Sequence, residues 1–501
     1  MIRPMTLIKD LSQKAGAEAT IAGWLLGKRS GGKVAFLLVR DGTGVCQCIA
    51  EAGNPDVFSA AGELTQESSL EVSGTVRSDA RAPGGCEIAV SDIRVLQKAE
   101  DYPISRKAHG VDFLMSHRHL WLRSQRQAAI LRIRHTVIKA SRSFFDNRDF
   151  TLVDMPILTP GVGEDAKSLF SVDYYGEKVF LAQTGQLYLE SACMALRKVY
   201  CFGPTFRAEK SKTRRHLSEF WMIEPEIAFA ELDDVVALAE DMVCSIVDAV
   251  LAGNQADLAL VGRDIAPLMA IRKPFPRITY TEAAEMLRSE KTAKWLIDEL
   301  ERDRAEFQKK VKELATLDQR LAQAAKGPAR DRLQDQASEL REEIHDLEAD
   351  LAARPEHIRL AGTFEWGKDL GGSDETIISR MHDRPVFVTD YPKEAKAFYM
   401  KVADGGKGRT VRNMDLLAPE GYGEIIGGSQ REEDPEVLVA RIREVGLDPA
   451  NYAWYLDLRR YGSVPHGGFG LGIERTLSWI CGLRHVREAI PFPRMMARMD
   501  M

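Results

Sequence analysis

Apolar and polar positions alternate with a period of two in five stretches of the first hundred residues: ATIAGWLLGKR, KVAFLLVR, VCQCIA, SLEVSGTVR and CEIAVSDIRVL. Such alternation turns one face of a strand to a core and the other to solvent, and Gly and Asp turn signals separate the stretches. Five short strands at this spacing predict a small closed barrel over residues 1–100, of which the oligonucleotide-binding type is one form; the pattern alone leaves other small barrels open. A linker over 101–120, with Pro103 and Gly110, leads into a stretch of helical period ending HRHLWLRSQRQAAILRIRHTVIKASRSFF, a long amphipathic helix with arginine on its polar side. From Phe150 onward strands and helices mix, which predicts an α+β domain over 121–501 built on antiparallel strands.

One region departs from that mixture. Leu300, Phe307, Leu314 and Leu321 recur every seven residues, and Leu333, Ala337, Leu340, Ile344, Leu347 and Leu351 alternate steps of four and three. Charged residues fill the positions between, and Gly327-Pro328 breaks the run, so 288–355 reads as an inserted antiparallel coiled-coil hairpin. Two uses stay open: a solvated arm, or one that touches RNA or another protein.

The chain has 501 residues, enough for about three domains. Its 68 basic and 74 acidic residues give a net charge of -6, so any nucleic-acid surface has to be a local patch. Seven scattered cysteines form no disulfide framework and point to a reducing compartment. The first residues lack the apolar core of a signal peptide, and no apolar run reaches the roughly 18 residues of a membrane span, so the cytoplasm is expected. His and Cys show no zinc spacing, and Cys46 and Cys48 read as alternate residues of one strand.

The chemistry concentrates in two stretches. In GPTFRAEKSKTRRHLSEFWMIEPEIAF (203–229) a strand, a basic loop and a strand follow one another, and Arg207 and Glu209, two apart, can face one ligand. In HGGFGLGIERTLSWI (466–480) a Gly-rich strand runs into a helix carrying Glu474 and Arg475; Gly468, Gly470 and Gly472 suit close approach of another backbone. Together they describe a nucleotide site built on arginines, without a GxxxxGK[ST] loop. An FRxE alone would be equally consistent with a surface ion pair. Both stretches resemble the second and third signature motifs of the class II aminoacyl-tRNA synthetases, with wording nearest the asparaginyl members of the aspartyl, asparaginyl and lysyl subgroup. The segment from Phe150 to Pro160 resembles the first motif, whose strand lies at a dimer interface, and so implies a homodimer.

That resemblance implies an OB-fold anticodon-binding barrel ahead of a class II antiparallel-sheet catalytic domain, and it implies roles. Arg207 and Arg475 are the expected catalytic residues, with Arg207 bridging the α-phosphate of ATP and the amino acid's carboxylate. Glu209 accepts from the adenine amino group, Phe220 and Arg475 sandwich the ring, His216 approaches the terminal phosphates and Gly472 lies beside the nucleotide. Asp415 and Glu424 hold Mg2+ against the phosphates. Glu164 and Gln186 take the α-ammonium and Arg431 the side-chain end of the amino acid.

Two positions bear on which amino acid that is. Aspartyl enzymes place a lysine three residues after the glutamine, where this chain has Leu189. Loss of one cation at about 4 Å forfeits on the order of 4 kcal/mol of attraction for a carboxylate at an effective dielectric of 20. They also place Asp where this chain has Glu224, whose longer side chain can accept from an amide. Both favour asparagine, although Leu189 also reads as core packing and Glu224 as a buried structural acid. Lys210, Lys212, Arg214 and Arg215 form a basic cluster suited to the acceptor end of tRNA, or a solvated charge run. In the barrel Phe36 would stack an anticodon base, Gln47 read its edge and Arg29 contact the RNA, with Phe36 as core the alternative. The implied activity is ATP-dependent charging of tRNA(Asn) with L-asparagine. An aspartyl enzyme and a noncatalytic RNA- or protein-binding paralogue remain as rivals; the latter would be expected to have lost residues such as Arg207 and Arg475.

Overall fold

The computed structural model describes residues 5–105, 109–161, 163–164, 166–210, 213–325, 328–496 and 498–499. The chain forms two compact units, Met1–Ala108 and His109–Met501.

In the first unit, β1 (Glu18–Gly31), β2 (Val34–Arg40), β3 (Val45–Glu51), β4 (Ser69–Ser78) and β5 (Cys86–Gln97) close a barrel in the order β1-β2-β3-β5-β4. The predicted alternation decides what is inside: Ala35, Leu37 and Val39 of β2 and Cys46, Cys48 and Ala50 of β3 are buried, whereas Phe36 turns outward and stays partly exposed. The reading of Phe36 as core is thereby excluded. A helix at Pro55–Glu63, started by the Asn54 side chain accepting from the Val57 N–H, covers one end.

The second unit is built on an eight-stranded main sheet, with three further strands paired in a small sheet. With β6 (Thr151–Leu152), β7 (Leu158–Thr159), β8 (Ser171–Tyr174), β9 (Glu177–Leu181), β10 (Lys198–Phe206), β11 (Glu219–Ala228), β12 (Arg277–Thr279), β13 (Val386–Thr389), β14 (Asn413–Ala418), β15 (Gly423–Gln430) and β16 (His466–Gly472), the small sheet runs β7-β9-β8 and the main sheet β12-β13-β14-β15-β16-β11-β10-β6. The main sheet's inner pairs are antiparallel; the edge pairs β6·β10 and β12·β13 are parallel. One face is sealed by helices Gln125–Asp146 and Leu232–Gly253, whose Ile130, Ile133, Val137, Val235, Ala239 and Met242 form one core with Ile223, Met414, Ile426 and Phe469 of the sheet. The period of two along β11 then sends Phe220, Met222, Glu224 and Glu226 to the other, open face.

The arginine-rich polar side expected for the first long helix needs correction. It starts at Gln125 after two short helices, Val111–Ser116 and Arg118–Trp121, and one arginine of the long helix, Arg134, and one of the short helix before it, Arg118, point inward. Arg134 pairs with Glu474 at 2.7 Å and donates to the Ala489 carbonyl; Arg118, fully buried, donates to the carbonyls of Ile490 and Pro491 at 2.9 Å. Both tie the C-terminal segment down, which is why they tolerate burial. Burial lowers the Arg118 guanidinium to about 10.

The hairpin consists of helices Glu290–Gln323 and Pro328–Gly362. Leu317, Ala337 and Leu340 form its buried seam, with Leu314, Leu333 and Ile344 beside them. Leu317, outside the seven-residue series, supplies the a/d partner of Leu314. The second helix runs on past Pro355 because Ile358 and Ala361 pack at its base against the core around Tyr280 and Leu287.

Ile223 is fully buried in the central strand. Ile223→Ala is expected to lower the unfolding free energy by about 2–5 kcal/mol through lost burial and the cavity left behind, measured by urea denaturation.

Candidate active site

The strand-to-loop junction at β10 and β11 builds a small cleft, the candidate nucleotide site. The Arg207 N–H donates to the Ser218 carbonyl at 3.0 Å, closing the loop base, and its guanidinium lies 5.3 Å from the centre of the Phe220 ring. Arg475, two residues into the helix that follows β16, donates to the Glu424 carbonyl at 3.1 Å and to Glu424 Oε2 at 3.0 Å. Glu209 stands 3.3 Å from His216. Arg207, Glu209, His216, Phe220, Glu424 and Arg475 line one small cavity, with Arg215 and Gly472 at its wall. The Nε of Arg207 is buried without a hydrogen-bond partner among the described residues, a donor that a bound acceptor would satisfy. Burial, reinforced by Arg475, holds the His216 imidazole below its usual range, so it meets a ligand neutral near pH 7. Several guanidinium groups lining one cleft form an anion site.

The four basic loop residues do not share one environment. Lys210 is exposed, Lys212 lies outside the described residues, and Arg214 reaches Asp350 of the arm at 3.3 Å. Arg215 instead turns inward: its guanidinium donates to the carbonyls of Gly372 (3.1 Å) and Gly421, to Thr376 Oγ1 and to Glu375.

Asp415 on β14 and Glu424 on β15 aim their carboxylates at one gap. A β-carbon at Gly427 would lie 2.9 Å from Glu424 Oε1 and 3.6 Å from Asp415 Oδ1. Convergent hard oxygens in a gap kept open by glycine fit a divalent cation. Burial would raise the Glu424 carboxyl, but Arg475, Lys396 and Arg207 together hold it below its usual range. Asp415, buried, is pushed up to about 6 despite Lys396 at 2.7 Å.

The larger cleft beside it, about 710 Å³, holds the candidate amino-acid site. Glu164, Gln186, Leu189, Glu224 and Arg431 all line it. Glu164 accepts from the Tyr399 hydroxyl at 2.8 Å. Gln186 opens the helix Gln186–Leu196 and donates to Glu190 at 3.1 Å. Glu224 accepts from the Gly185 N–H at 3.0 Å and from the Thr184 hydroxyl, so it also anchors the start of that helix; burial raises its carboxyl. Leu189 is fully buried, packed with Cys193, Val199, Cys201 and Ala228, so it is a core residue at the cleft's floor. Arg431 is gripped from behind by Glu226, at 3.0 Å from Nε and 2.8 Å from Nη2, while Nη1 donates to Ser429.

The sequence profile described as "tRNA synthetases class II (D, K and N)" matches residues 110–496, and an "OB-fold nucleic acid binding domain" matches residues 19–96. The chain is 49% identical to the asparagine–tRNA ligase of Sorangium cellulosum over 502 residues, covering 99% of both, and 48% identical to that of Desulforamulus reducens, covering 98% of this chain and 99% of the relative. Among solved structures, asparaginyl-tRNA synthetase from Pyrococcus horikoshii complexed with asparaginyl-adenylate is similar with a TM-score of 0.82 and 36% identity over the full length of both chains. The chain belongs to the class II tRNA synthetases of the D, K and N group.

For a member of this family the barrel is the OB-fold domain, and its outer surface holds the three residues picked from sequence. Arg29 and Phe36 are direct cross-strand partners, with the guanidinium 4.8 Å from the ring centre. Gln47 accepts from Arg29 at 3.3 Å and donates to Glu87 at 3.0 Å.

Sequence reasoning missed several side chains of the synthetase clefts. Lys396, its Nζ 3.9 Å from the centre of the Tyr391 ring, pairs with Asp415 and lies 3.8 Å from Asp369. Burial would lower this ammonium, and the two carboxylates raise it instead. Glu375 accepts from the Glu424 N–H at 3.1 Å; burial and then Glu424 push its carboxyl up to about 7. No local pattern marks these. Glu226 and Glu190 did carry a signal, because they follow Glu224 by two on a strand and Gln186 by four on a helix. Glu190 is buried against Arg459 (2.7 Å), His466 (3.1 Å) and the Tyr455 hydroxyl (2.8 Å).

Burial would raise the Glu190 carboxyl, but Arg459, His466 and Arg431 hold it well below its usual range. A carboxyl depressed by folding stabilises above its unfolded value, near about 4.3, and that stabilisation drains away as pH falls. Glu190→Gln is therefore expected to cost about 3–5 kcal/mol at pH 7, with the gap from wild type narrowing below about pH 4 in denaturation series.

Proposed function

We propose that this chain is an asparagine–tRNA ligase, activating L-asparagine with ATP to asparaginyl-adenylate and transferring the asparaginyl group to tRNA(Asn). The observation that carries this is the full-length likeness to asparagine–tRNA ligases at nearly half of all positions. The pocket's charge supports it. Arg431 is neutralised by Glu226, Leu189 brings no second cation, and Glu164 and Glu224 add negative charge. A substrate amide meets both donors and acceptors there, whereas a substrate carboxylate meets a surplus of its own sign. A site built on such complementarity can discriminate by roughly 10⁴–10⁵.

In the first step an oxygen of the asparagine carboxylate attacks the α-phosphorus of ATP in line, and the bond to the bridging oxygen of pyrophosphate breaks. No proton has to be removed, so the residues act by position and charge. We assign Arg207 to the α-phosphate and the attacking carboxylate, where its unpaired Nε donates. Glu209 accepts from the adenine amino group, Phe220 and Arg475 flank the ring, and His216 and Arg475 meet the terminal phosphates. Magnesium is the ion we assign to Asp415 and Glu424, where it would add positive charge to the phosphates. In the second step a hydroxyl of the terminal ribose of tRNA attacks the adenylate's carbonyl carbon and AMP leaves. Lys210, Lys212 and Arg214 are the residues we assign to the acceptor end, and Arg29, Phe36 and Gln47 to the anticodon.

A homodimer through the first-motif segment is supported by the exposed Leu152, Ile157 and Leu158. No described helix is long and apolar enough to cross a membrane, and all seven cysteines are free thiols; the second fact supports a reducing compartment, for which we infer the cytoplasm.

ATP–pyrophosphate exchange run in parallel with asparagine and aspartate tests the reading: asparagine alone should support magnesium-dependent exchange, and exchange with aspartate would transfer the chain to the aspartyl enzymes. In the same assay Arg207→Ala should lower the rate about a hundredfold to a thousandfold. Phe36→Ala should raise the KM for tRNA(Asn) in aminoacylation by about five- to a hundredfold, the worth of one stacked base, and leave the exchange rate unchanged.

A further inference from the structure

The helix Gly372–Arg380, the next helix after the arm, reaches Arg215 at the wall of the arginine cleft with two side chains that the mechanism above does not use. Glu375 Oε2 lies 3.4 Å from Arg215 Nη1 and accepts from the Glu424 N–H at 3.1 Å. Thr376 Oγ1 accepts from Arg215 Nη2, which also donates to the Gly421 carbonyl, and Gly372 supplies a carbonyl to Nη1 at 3.1 Å. The turn between β14 and β15 is shaped for this grip. Gly423 has φ +74, and a β-carbon there would lie 2.5 Å from Glu375 Oε2 and 2.6 Å from Arg215 Nη1. Any other residue would displace both groups.

A carboxylate here opposes its setting. It accepts from the Glu424 N–H at the back of the cleft assigned to ATP phosphates, and its side chain is only 16% exposed. Such a group is retained where it holds something in place. What it holds is Arg215, whose guanidinium faces a wall shared by the nucleotide cleft and a cavity of about 470 Å³ beside the arm. Without an anion between them, Arg215 and Arg475 would repel each other across the empty site. The helix is tied in turn to the arm: Arg380 at its end reaches Glu299 of the arm's first helix at 3.4 Å, and Arg354 of the arm's second helix holds the same Glu299 at 3.3 Å and Asp303 at 2.6 Å.

We propose that Glu375, with Thr376, is a positioning residue for ATP, fixing Arg215 at the phosphate end of the cleft from a helix braced by the coiled-coil arm. This gives the arm's base a role in nucleotide binding and removes Arg215 from the tRNA-facing cluster. The inference rests on ATP as the ligand of the arginine cleft and is independent of which amino acid is activated.

The test is calorimetric titration of Mg·ATP into the full chain without amino acid, for Glu375→Ala, Glu375→Gln, Arg215→Ala and the double alanine variant. Glu375→Ala should weaken ATP about tenfold or more, the worth of a charge-assisted hydrogen bond, and Glu375→Gln, which keeps an oxygen acceptor, should recover most of it. The double variant should bind no more weakly than Arg215→Ala, because Glu375 acts through that arginine. The KM for asparagine in pyrophosphate exchange should stay within about twofold for Glu375→Gln, which shows an intact fold. Unchanged or tighter ATP binding by Glu375→Ala, or losses that multiply in the double variant, would overturn the proposal. Absence of asparagine-dependent exchange in the unaltered protein would count against the asparagine reading alone, since the ATP titration stands without it.

Discussion

Charge taken out of water must be paired, and the open face of the eight-stranded sheet is organised by that constraint. Helices seal the other face with a continuous apolar core, so every second residue of β11 and β14 has to meet the cleft. An irregularity in the β14·β15 register lets Glu424 face it too, although Ile426, two residues on, joins the core. Glu224, Glu226, Asp415 and Glu424 stand there, and each has a partner brought from elsewhere in the chain: Gly185, Arg431, Lys396 and Arg475. The pairs that are complete on their own, such as Arg431 with Glu226, serve as scaffold. Those left with an unused donor, as at Arg207 Nε, are where a ligand finishes the account.

Glycine sets how close these partners come. On β16, a β-carbon at Gly470 would collide with Met222 and one at Gly468 with Pro225 and Glu226, so the Gly-rich strand lets the acidic strand lie against it. The same residue type at Gly427 keeps the gap between Asp415 and Glu424, and at Gly423 it admits Glu375 and Arg215 together. Spacing in the third signature stretch therefore reflects the packing of its neighbour as much as contact with nucleotide.

Features carried by local periodicity were legible in the sequence. The barrel strands and the arm follow from periods of two, seven or four and three. Arg207 and Glu209 line one cleft although β10 ends at Phe206, so a strand period is not what brings them together. The outward turn of Phe36 decides between two readings the pattern left open. What escaped was convergence between distant segments. Lys396, Asp369 and Glu375 sit in stretches with no motif of their own, and only the fold brings them to β14 and β15. Arg118 and Arg134 misled for a related reason: on a helical wheel they fall among polar residues, yet the C-terminal segment supplies carbonyls and Glu474 supplies a carboxylate that make their burial tolerable. Leu189 shows the reverse. Its meaning in the pocket was read from a lysine that is absent, while its contacts are those of a core leucine.

These two kinds of residue bear differently on specificity. On the reading proposed above, a core leucine at the floor of the amino-acid cleft would select by withholding charge, and it could do so only because Arg431 is already paired with Glu226. Were Glu226 not there, Arg431 would present a full positive charge and Leu189 would discriminate little. Selectivity between a carboxylate and an amide would then depend also on the layer beneath the pocket, where Glu190, Arg459 and His466 complete the balance with every group buried. The balance of charge around Arg431 therefore rests on Glu226, which shares the cleft with it, and on the buried Glu190, Arg459 and His466 behind, so groups under the surface weigh on the pocket along with the side chains that line it.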